Sequence, residues 1–260
     1  MPAETQPLCL DLSGKIAVVT GATGQLGRVM ARTLARCGAD VAVHYHKNAD
    51  MAETLCAELR DMGRKCVAVQ ADVADKDAVL KMRDAVTDAL GPATIIVNNA
   101  VAPSRWASVL EQTPEDYEGQ FRSSVLHNVL MAQAFVPGMK DADGGRIIGI
   151  STECAMQNAP TQGAYVSGKR GMDGVLRVLA KEIGEHGITV NQVAPGWTIS
   201  DNDRASGSEE QPGYSANVPL RRRGTDQEIA NAVAFLASDL AAFITGVYLP
   251  VCGGNVMPTI

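Results

Sequence analysis

Tyr165 and Lys169 stand four residues apart in the run Tyr165-Val166-Ser167-Gly168-Lys169. On a helix that spacing puts both side chains on one face. An ammonium beside a phenol favours the phenolate, so the tyrosine pKa is expected below its reference value of about 10. A phenol placed this way can give a proton to a ketone oxygen, or take one from an alcohol, while hydride moves at the carbon. Y-x-x-x-K patterns are common by chance, so the pair gains meaning only from its company.

A second feature supplies that company. Thr20-Gly21-Ala22-Thr23-Gly24-Gln25-Leu26-Gly27 follows an apolar run and opens a helical pattern. Glycines there permit a tight turn, and N–H groups at a helix N-terminus can receive a pyrophosphate. A glycine triplet alone is weak evidence, and its place between a first strand and a first helix strengthens it. Dinucleotide binding is therefore expected through Gly21, Thr23, Gly24, Gln25, Leu26 and Gly27, with the hydride travelling to or from a nicotinamide. The end of the second strand reads Val43-His44-Tyr45-His46-Lys47-Asn48, with no acid before Asp50. An acid there would bond the ribose 2′-hydroxyl, whereas basic and polar groups accommodate a 2′-phosphate. The expected cofactor is NADP(H), with His46, Lys47 and Asn48 around the phosphate and NAD(H) as the alternative.

These groups need a scaffold, and short Val- and Ile-rich runs alternate with helical patterns along the whole chain. Strands are expected at 16–20, 40–45, 66–70, 94–98, 146–150, 189–193 and 247–251. Helices are expected near 26–37, 51–62, 76–90, 115–139, 164–184 and 226–237. Continuous apolar strands suit parallel pairing with both faces covered. The alternation points to an α/β, Rossmann-type doubly wound parallel sheet of about seven strands with helices on both faces. No linker divides the chain, so one dinucleotide-binding and catalytic domain over 1–260 is expected. Residues 198–217 are polar and aperiodic; such a stretch reads as a structureless substrate lid or as a floppy surface loop.

Composition narrows the function class. The 260 residues are 46% apolar and carry a net charge of −6, with a pI near 5.3. That balance disfavours nucleic acid, anionic membranes and acidic partners. Cys9, Cys37, Cys56, Cys66, Cys154 and Cys252 form no C-x-x-C pair, and reduced cytosolic thiols are the simpler reading. Residues 1–12 show no secretory pattern, and no apolar run approaches the roughly 20 residues that span a bilayer. A soluble, cytoplasmic protein is expected. The four histidines lack metal-ligand spacing, so no metal site is expected.

Further motifs complete the pattern: Leu12-Ser13-Gly14-Lys15, Asp72-Val73, Asn98-Asn99-Ala100, Pro195-Gly196, and the tail Ile244-Thr245-Gly246 with Gly253-Gly254. From about Asp11 to Gly254 the chain resembles the short-chain dehydrogenase/reductase family. The resemblance implies that Asp72 and Val73 border the adenine and that Asn99 and Ala100 support the cofactor. It implies that Pro195-Gly196 touch the nicotinamide amide, with Thr198 next among the cofactor contacts. Tyr165 is then the general acid/base, and Lys169 lowers its pKa and holds the ribose. Thr152, thirteen residues before the tyrosine, stands where the family has its substrate-orienting serine; Ser151 is the adjacent alternative. Ser124 replaces the asparagine that helps hold a proton-relay water. Val101 replaces a glycine, and Gln25 replaces the middle glycine of the phosphate loop, with Gly24 in compensation.

Other residues stay open. Gly168, Gly171 and Gly174 each cost about 1 kcal/mol against alanine in a helix, which implies close approach of another backbone. That backbone lies either within the chain or, as in the resembled family, across the two-fold axis of a dimer or tetramer. Trp106, Met156, Trp197 and Tyr214 border the substrate pocket by resemblance, or serve as core. Arg221-Arg222-Arg223 is a solvated patch or a brace for the lid. Expected overall is NADPH-dependent reduction of a small-molecule ketone, reversible. Length and tail also resemble 3-oxoacyl carrier-protein reductases, which makes a 3-oxoacyl thioester the alternative substrate. Acidic residues at Asp141, Asp143, Glu182 and Glu185 oppose carrier docking. His44-Tyr45-His46-Lys47 also resembles pterin reductases, around the cofactor only. A non-catalytic dinucleotide-binding sensor or scaffold is motivated by Ser124, Thr152 and Val101 and opposed by the retained Tyr165 and Lys169.

Overall fold

Three consecutive apolar residues, Ala17, Val18 and Val19, are wholly buried in the first strand, as a strand covered on both faces requires. The computed structural model describes residues 10–258. Residues 1–9, with Cys9 and most of the segment read as lacking a secretory pattern, lie outside the described residues, as do 259–260. The first half alternates β1 (Ile16–Val19), α1 (Gln25–Arg36), β2 (Asp40–Tyr45), α2 (Ala49–Asp61), β3 (Cys66–Gln70), α3 (Lys76–Leu90) and β4 (Ile95–Asn98). There follow α4 (Pro114–Gln120), a π-helical segment Phe121–Leu126, α5 (His127–Asp141), β5 (Gly145–Ile150), α6 (Cys154–Gln157) and α7 (Gly163–Ile183). The chain ends with β6 (Ile188–Pro195), α8 (Asp201–Ser206), α9 (Pro212–Ser215), α10 (Asp226–Ala237) and β7 (Tyr248–Val251).

All seven strands join one parallel sheet in the order β3-β2-β1-β4-β5-β6-β7. One apolar cluster packs α1, α2 and α10 on one face, and a second packs α3, α5 and α7 on the other. The strand order reverses between β1 and β4, which opens a crevice at their carboxyl ends, where doubly wound sheets bind ligands. No helix among the described residues is long and apolar enough to cross a membrane.

Two segments depart from the sequence expectation. The helix expected over 115–139 is three pieces. Pro114 opens α4 behind a Thr113–Asp116 capping box, and the π-helical segment then interrupts the α register. Its Ser123 hydroxyl donates back to Gly119 O at 2.8 Å, and α7 crosses so closely that a Cβ on Gly168 would stand 2.8 Å from Gln120 O. That close approach answers the glycine question at Gly168, and Gly171 packs likewise on Val125 within the chain; Gly174 meets nothing.

The second departure is 198–217, which is not structureless. Ser200 and Asp203 form a capping box for α8, and Gly207 ends it at a φ of 67°. The polar residues that hide any period are caps and ion-pair partners. Arg204 grips Asp226 with two bonds of 2.7 and 2.8 Å. Arg223 donates to Asp203 at 2.8 Å and to Thr198 O at 2.9 Å, and Arg28 pairs with Asp201. Arg223 is therefore a buried brace, while Arg221 and Arg222 are exposed.

Candidate active site

The phosphate loop is built on two glycines and a histidine. Gly21 adopts a φ of 61° and leaves room for a Cβ only 3.0 Å from Ala100 Cα. A Cβ on Gly27 would stand 2.3 Å from Gly21 O, so α1 closes under the loop only without that side chain. Gly21 N–H donates to His44 Nδ1 at 2.9 Å, which places the ring proton on Nε2, donating to Ala71 O at 3.1 Å. Burial pushes the His44 pKa down to about 4 and keeps the ring neutral. The Thr20 hydroxyl accepts from the Asn99 and Ala100 amides at 2.9 and 3.0 Å, while Asn99 Nδ2 donates to Thr20 O and Gly21 O. Sequence reasoning gives His44 a structural or surface role, and it cannot name the partners, which lie 23 and 27 residues away.

Beside this loop lies a cleft of about 830 Å3. Gly21, Thr23, Gly24, Gln25 and Leu26 line it from the loop, and His46, Lys47 and Asn48 from the end of β2. Asp72 and Val73 follow β3 into its wall, and Asn99, Ala100 and Val101 follow β4. Gly27 lies beneath the loop instead. Asn48 has a second task, since its side chain accepts from Met51 N–H and caps α2. Arg122, which no motif marked, closes the far side and donates to Ala74 O at 3.1 Å. No side chain caps α1, and Gly24, Gln25 and Leu26 at its start line the cleft, an arrangement that can receive an anion on the uncapped N–H groups. Gln25, in the place of a glycine, reaches away and donates to Ile199 O at 2.8 Å.

The proton-bearing groups gather at the end of β5, the strand beside β4, and Tyr165, Lys169 and Thr152 are not among the residues that line the cleft. Tyr165 lies in the first turn of α7 and Lys169 one turn on. Lys169 Nζ donates to Ile150 O at 2.7 Å and lies 5.9 Å from the Tyr165 ring centre. Thr152 lies just beyond β5 with its side chain near the Tyr165 hydroxyl, and its own hydroxyl accepts from Cys154 N–H at 3.2 Å. Ser151, the alternative, lies beside Tyr248. The expected fall in the tyrosine pKa is not found: burial pushes it up to about 12, against the opposing pull of the nearby Thr152 side chain. Lys169 is itself buried, which drives its pKa down to about 8. Loss of water outweighs the pairing that the spacing alone implied.

Pro195, Gly196 and Thr198 sit at the end of β6, outside the lining of the cleft. The Thr198 hydroxyl turns back to donate to Gly196 O at 3.0 Å. Ser124 lies in the π-helical segment, 1% exposed, and its carbonyl accepts from Asn128 Nδ2 at 2.7 Å. Among the described residues no hydrogen bond joins Ser124 to Tyr165 or Lys169, and its Oγ is buried without a protein partner. Next to it His127 faces Ser123 O at 3.2 Å, and burial drives its pKa down to about 3. Trp106 packs edge-on to Tyr165 with ring centres 5.6 Å apart. Trp197 packs edge-on to Tyr214 at 5.5 Å, and the Arg223 guanidinium lies over the Trp197 ring at 4.8 Å.

A dinucleotide cleft at the switch point of a doubly wound sheet, with a buried phenol and ammonium beside it, defines a nicotinamide-dependent oxidoreductase. A family model described as enoyl-(acyl carrier protein) reductase matches residues 21–255. A 3-oxoacyl-(acyl-carrier-protein) reductase of Staphylococcus aureus is 36% identical over 243 residues, covering 94% of this chain and 98% of the relative. The structure of a blue fluorescent protein from a metagenomic library, in complex with NADPH, matches at a TM-score of 0.86 and 34% identity over 95% of this chain and 100% of that one. A 7α-hydroxysteroid dehydrogenase complexed with NADH and 7-oxo glycochenodeoxycholic acid matches at 0.86 and 31% identity, over 96% of this chain and 97% of that one. The chain belongs to the short-chain dehydrogenase/reductase family, as a 3-oxoacyl-reductase-like member that uses NAD(P).

Proposed function

We propose that the protein reduces a small-molecule ketone to an alcohol, reversibly, with NADPH. The observation that carries this reading is the buried Lys169 ammonium 5.9 Å from the Tyr165 ring, anchored on Ile150 O at the end of β5 two residues before Thr152. The residues present fit a dinucleotide: the glycine loop leaves the space, the uncapped N-terminus of α1 faces it, and Asp72 and Val73 line the adenine end. Bound there, the nicotinamide supplies or receives the hydride. Thr152 donates a hydrogen bond to the carbonyl oxygen and holds it at Tyr165. The phenol, kept protonated by burial at neutral pH, gives its proton as negative charge develops on that oxygen. The Lys169 ammonium stabilises the phenolate left behind and holds the ribose, and Ser124 stands at the relay that returns the proton.

His46, Lys47 and Asn48 line the cleft with no carboxylate among them, which supports NADPH over NADH. Segment 198–217 is read as the substrate lid, tied to the phosphate loop through Gln25 and Arg28. Asp141, Asp143, Glu182 and Glu185 are all exposed and would repel an acidic carrier. A free ketone or a CoA ester therefore suits this surface better than a carrier-bound 3-oxoacyl thioester. A cytoplasmic homo-oligomer is the setting this reading assumes.

The test is steady-state turnover with NADPH and NADH on free ketones, 3-oxoacyl thioesters and oxosteroids. Tyr165→Phe is expected to lower kcat by about 10²–10⁴. Retention of most of the activity would sink the mechanism, tighter NADH binding would overturn the cofactor preference, and cofactor binding without turnover would leave a sensor.

A further inference from the structure

Glu153 follows Thr152 directly and is 3% exposed. Its Oε1 accepts from the Tyr214 hydroxyl at 2.9 Å and its Oε2 from Asn255 Nδ2 at 3.0 Å. Among the described residues no basic side chain pairs with it, so a buried carboxylate is satisfied by two neutral donors. Burying a charge in this way costs stability relative to an apolar side chain of similar size. Architecture alone does not call for a glutamate here.

The Tyr214 hydroxyl joins further pieces. It accepts from Trp197 N–H at 3.0 Å, and a Cβ on Gly196 would stand 2.7 Å from it. One hydroxyl thus touches the Pro195-Gly196 turn, the Trp197 backbone and the residue next to Thr152. Tyr214 is also the side chain of α9 that hydrogen-bonds to the body of the protein. Burial, with the adjacent carboxylate, holds its pKa above the usual tyrosine value, so it remains a donor. Glu153 N–H in turn donates to Pro195 O at 2.9 Å, so backbone and side chain tie the same two segments.

We propose that Glu153 and Tyr214 form a latch that positions segment 198–217 and the Thr152 turn as one unit, with Glu153 a positioning residue for substrate binding. The α8 end of the segment is tied by Arg204, Arg223, Arg28 and Gln25; the latch ties the α9 end. It rests on the reading of 198–217 as the lid, and it acts on the fit of the ketone rather than on proton transfer.

The test uses the full-length protein as Glu153→Leu, Glu153→Gln, Tyr214→Phe and the Glu153→Leu/Tyr214→Phe pair. KM, kcat, NADPH affinity by fluorescence and the rate of tryptic cleavage at Arg204 are measured for each. Glu153→Leu and Tyr214→Phe are each expected to raise KM about tenfold, the worth of one hydrogen bond to a charged group. Expected with this are a smaller change in kcat, unchanged NADPH affinity and faster cleavage. Glu153→Gln keeps an acceptor for Tyr214 and restores KM to within about twofold. The double variant is expected to fall short of the sum of the two single effects, since both remove the Tyr214–Glu153 bond while each removes one further bond, to Trp197 N–H or Asn255. Unchanged KM and cleavage, additive effects, or a loss confined to kcat would overturn the latch. Should Glu153→Leu fail to fold, Tyr214→Phe against Glu153→Gln decides the matter. Absence of ketone turnover in the unaltered protein would count against the proposed reaction, while the cleavage rates would still read the latch.

Discussion

In the proposed reaction Lys169 serves the proton chemistry and sets its pH limit. Its ammonium is buried against Ile150 O, which lowers its pKa from 10.5 to about 8. The lysine is charged below that pH and neutral above it, so the sign is fixed: kcat/KM for ketone reduction is level at neutral pH and falls as pH rises through about 8. Tyr165, with a pKa near 12, does not limit the reaction there. Rate–pH profiles of the unaltered protein check this, and Lys169→Arg, which stays charged, is expected to carry the fall to higher pH. A plateau extending well beyond that pH would refute it. At this scale Tyr165, Lys169 and Thr152 were legible because the first two are spaced along one helix and a family pattern marks the third. Their proton affinities were not legible, since burial comes from β5 and the helices packed around α7. Glu153 and His44 were invisible for the same reason: each acquires its role from partners remote in sequence.

At the scale of elements, α7 is pressed against the end of α4 at Gly168 and open at Gly174. Alanine should therefore act oppositely at the two sites. Gly174→Ala is expected to stabilise by about 1 kcal/mol through helix propensity. Gly168→Ala is expected to cost about 1–3 kcal/mol by forcing α7 off Gln120 and to lower kcat, since Tyr165 and Lys169 ride on that helix. Thermal melts and turnover measure both; equal effects at the two positions would contradict the packing. The π-helical segment was hidden in the sequence because nothing in the run Phe121-Arg122-Ser123-Ser124-Val125-Leu126 distinguishes π from α turns. The short helices of 198–217 were hidden because capping boxes and ion pairs, not an apolar face, hold them.

For the whole molecule, strand–helix alternation made the layer order and the parallel sheet legible, and the glycine loop marked its switch point. Assembly was not legible, since two of the three helical glycines are used within the chain. Phe121 and Val178, on the π-helical segment and α7, are 55% and 56% exposed and support the reading of these helices as a subunit contact. Light scattering on the purified protein is expected to give a dimer or tetramer, and a monomer would remove that reading. One feature bears on how such a molecule changes over generations. The imidazole under the phosphate loop is committed on both nitrogens, while the side chains of His46 and Lys47 two and three positions on face the cleft. On the proposed reading, loop architecture and dinucleotide choice are thus separable heritable traits written side by side on one strand end. Redesign of the second is open at His46 and Lys47, whereas His44 is closed to it.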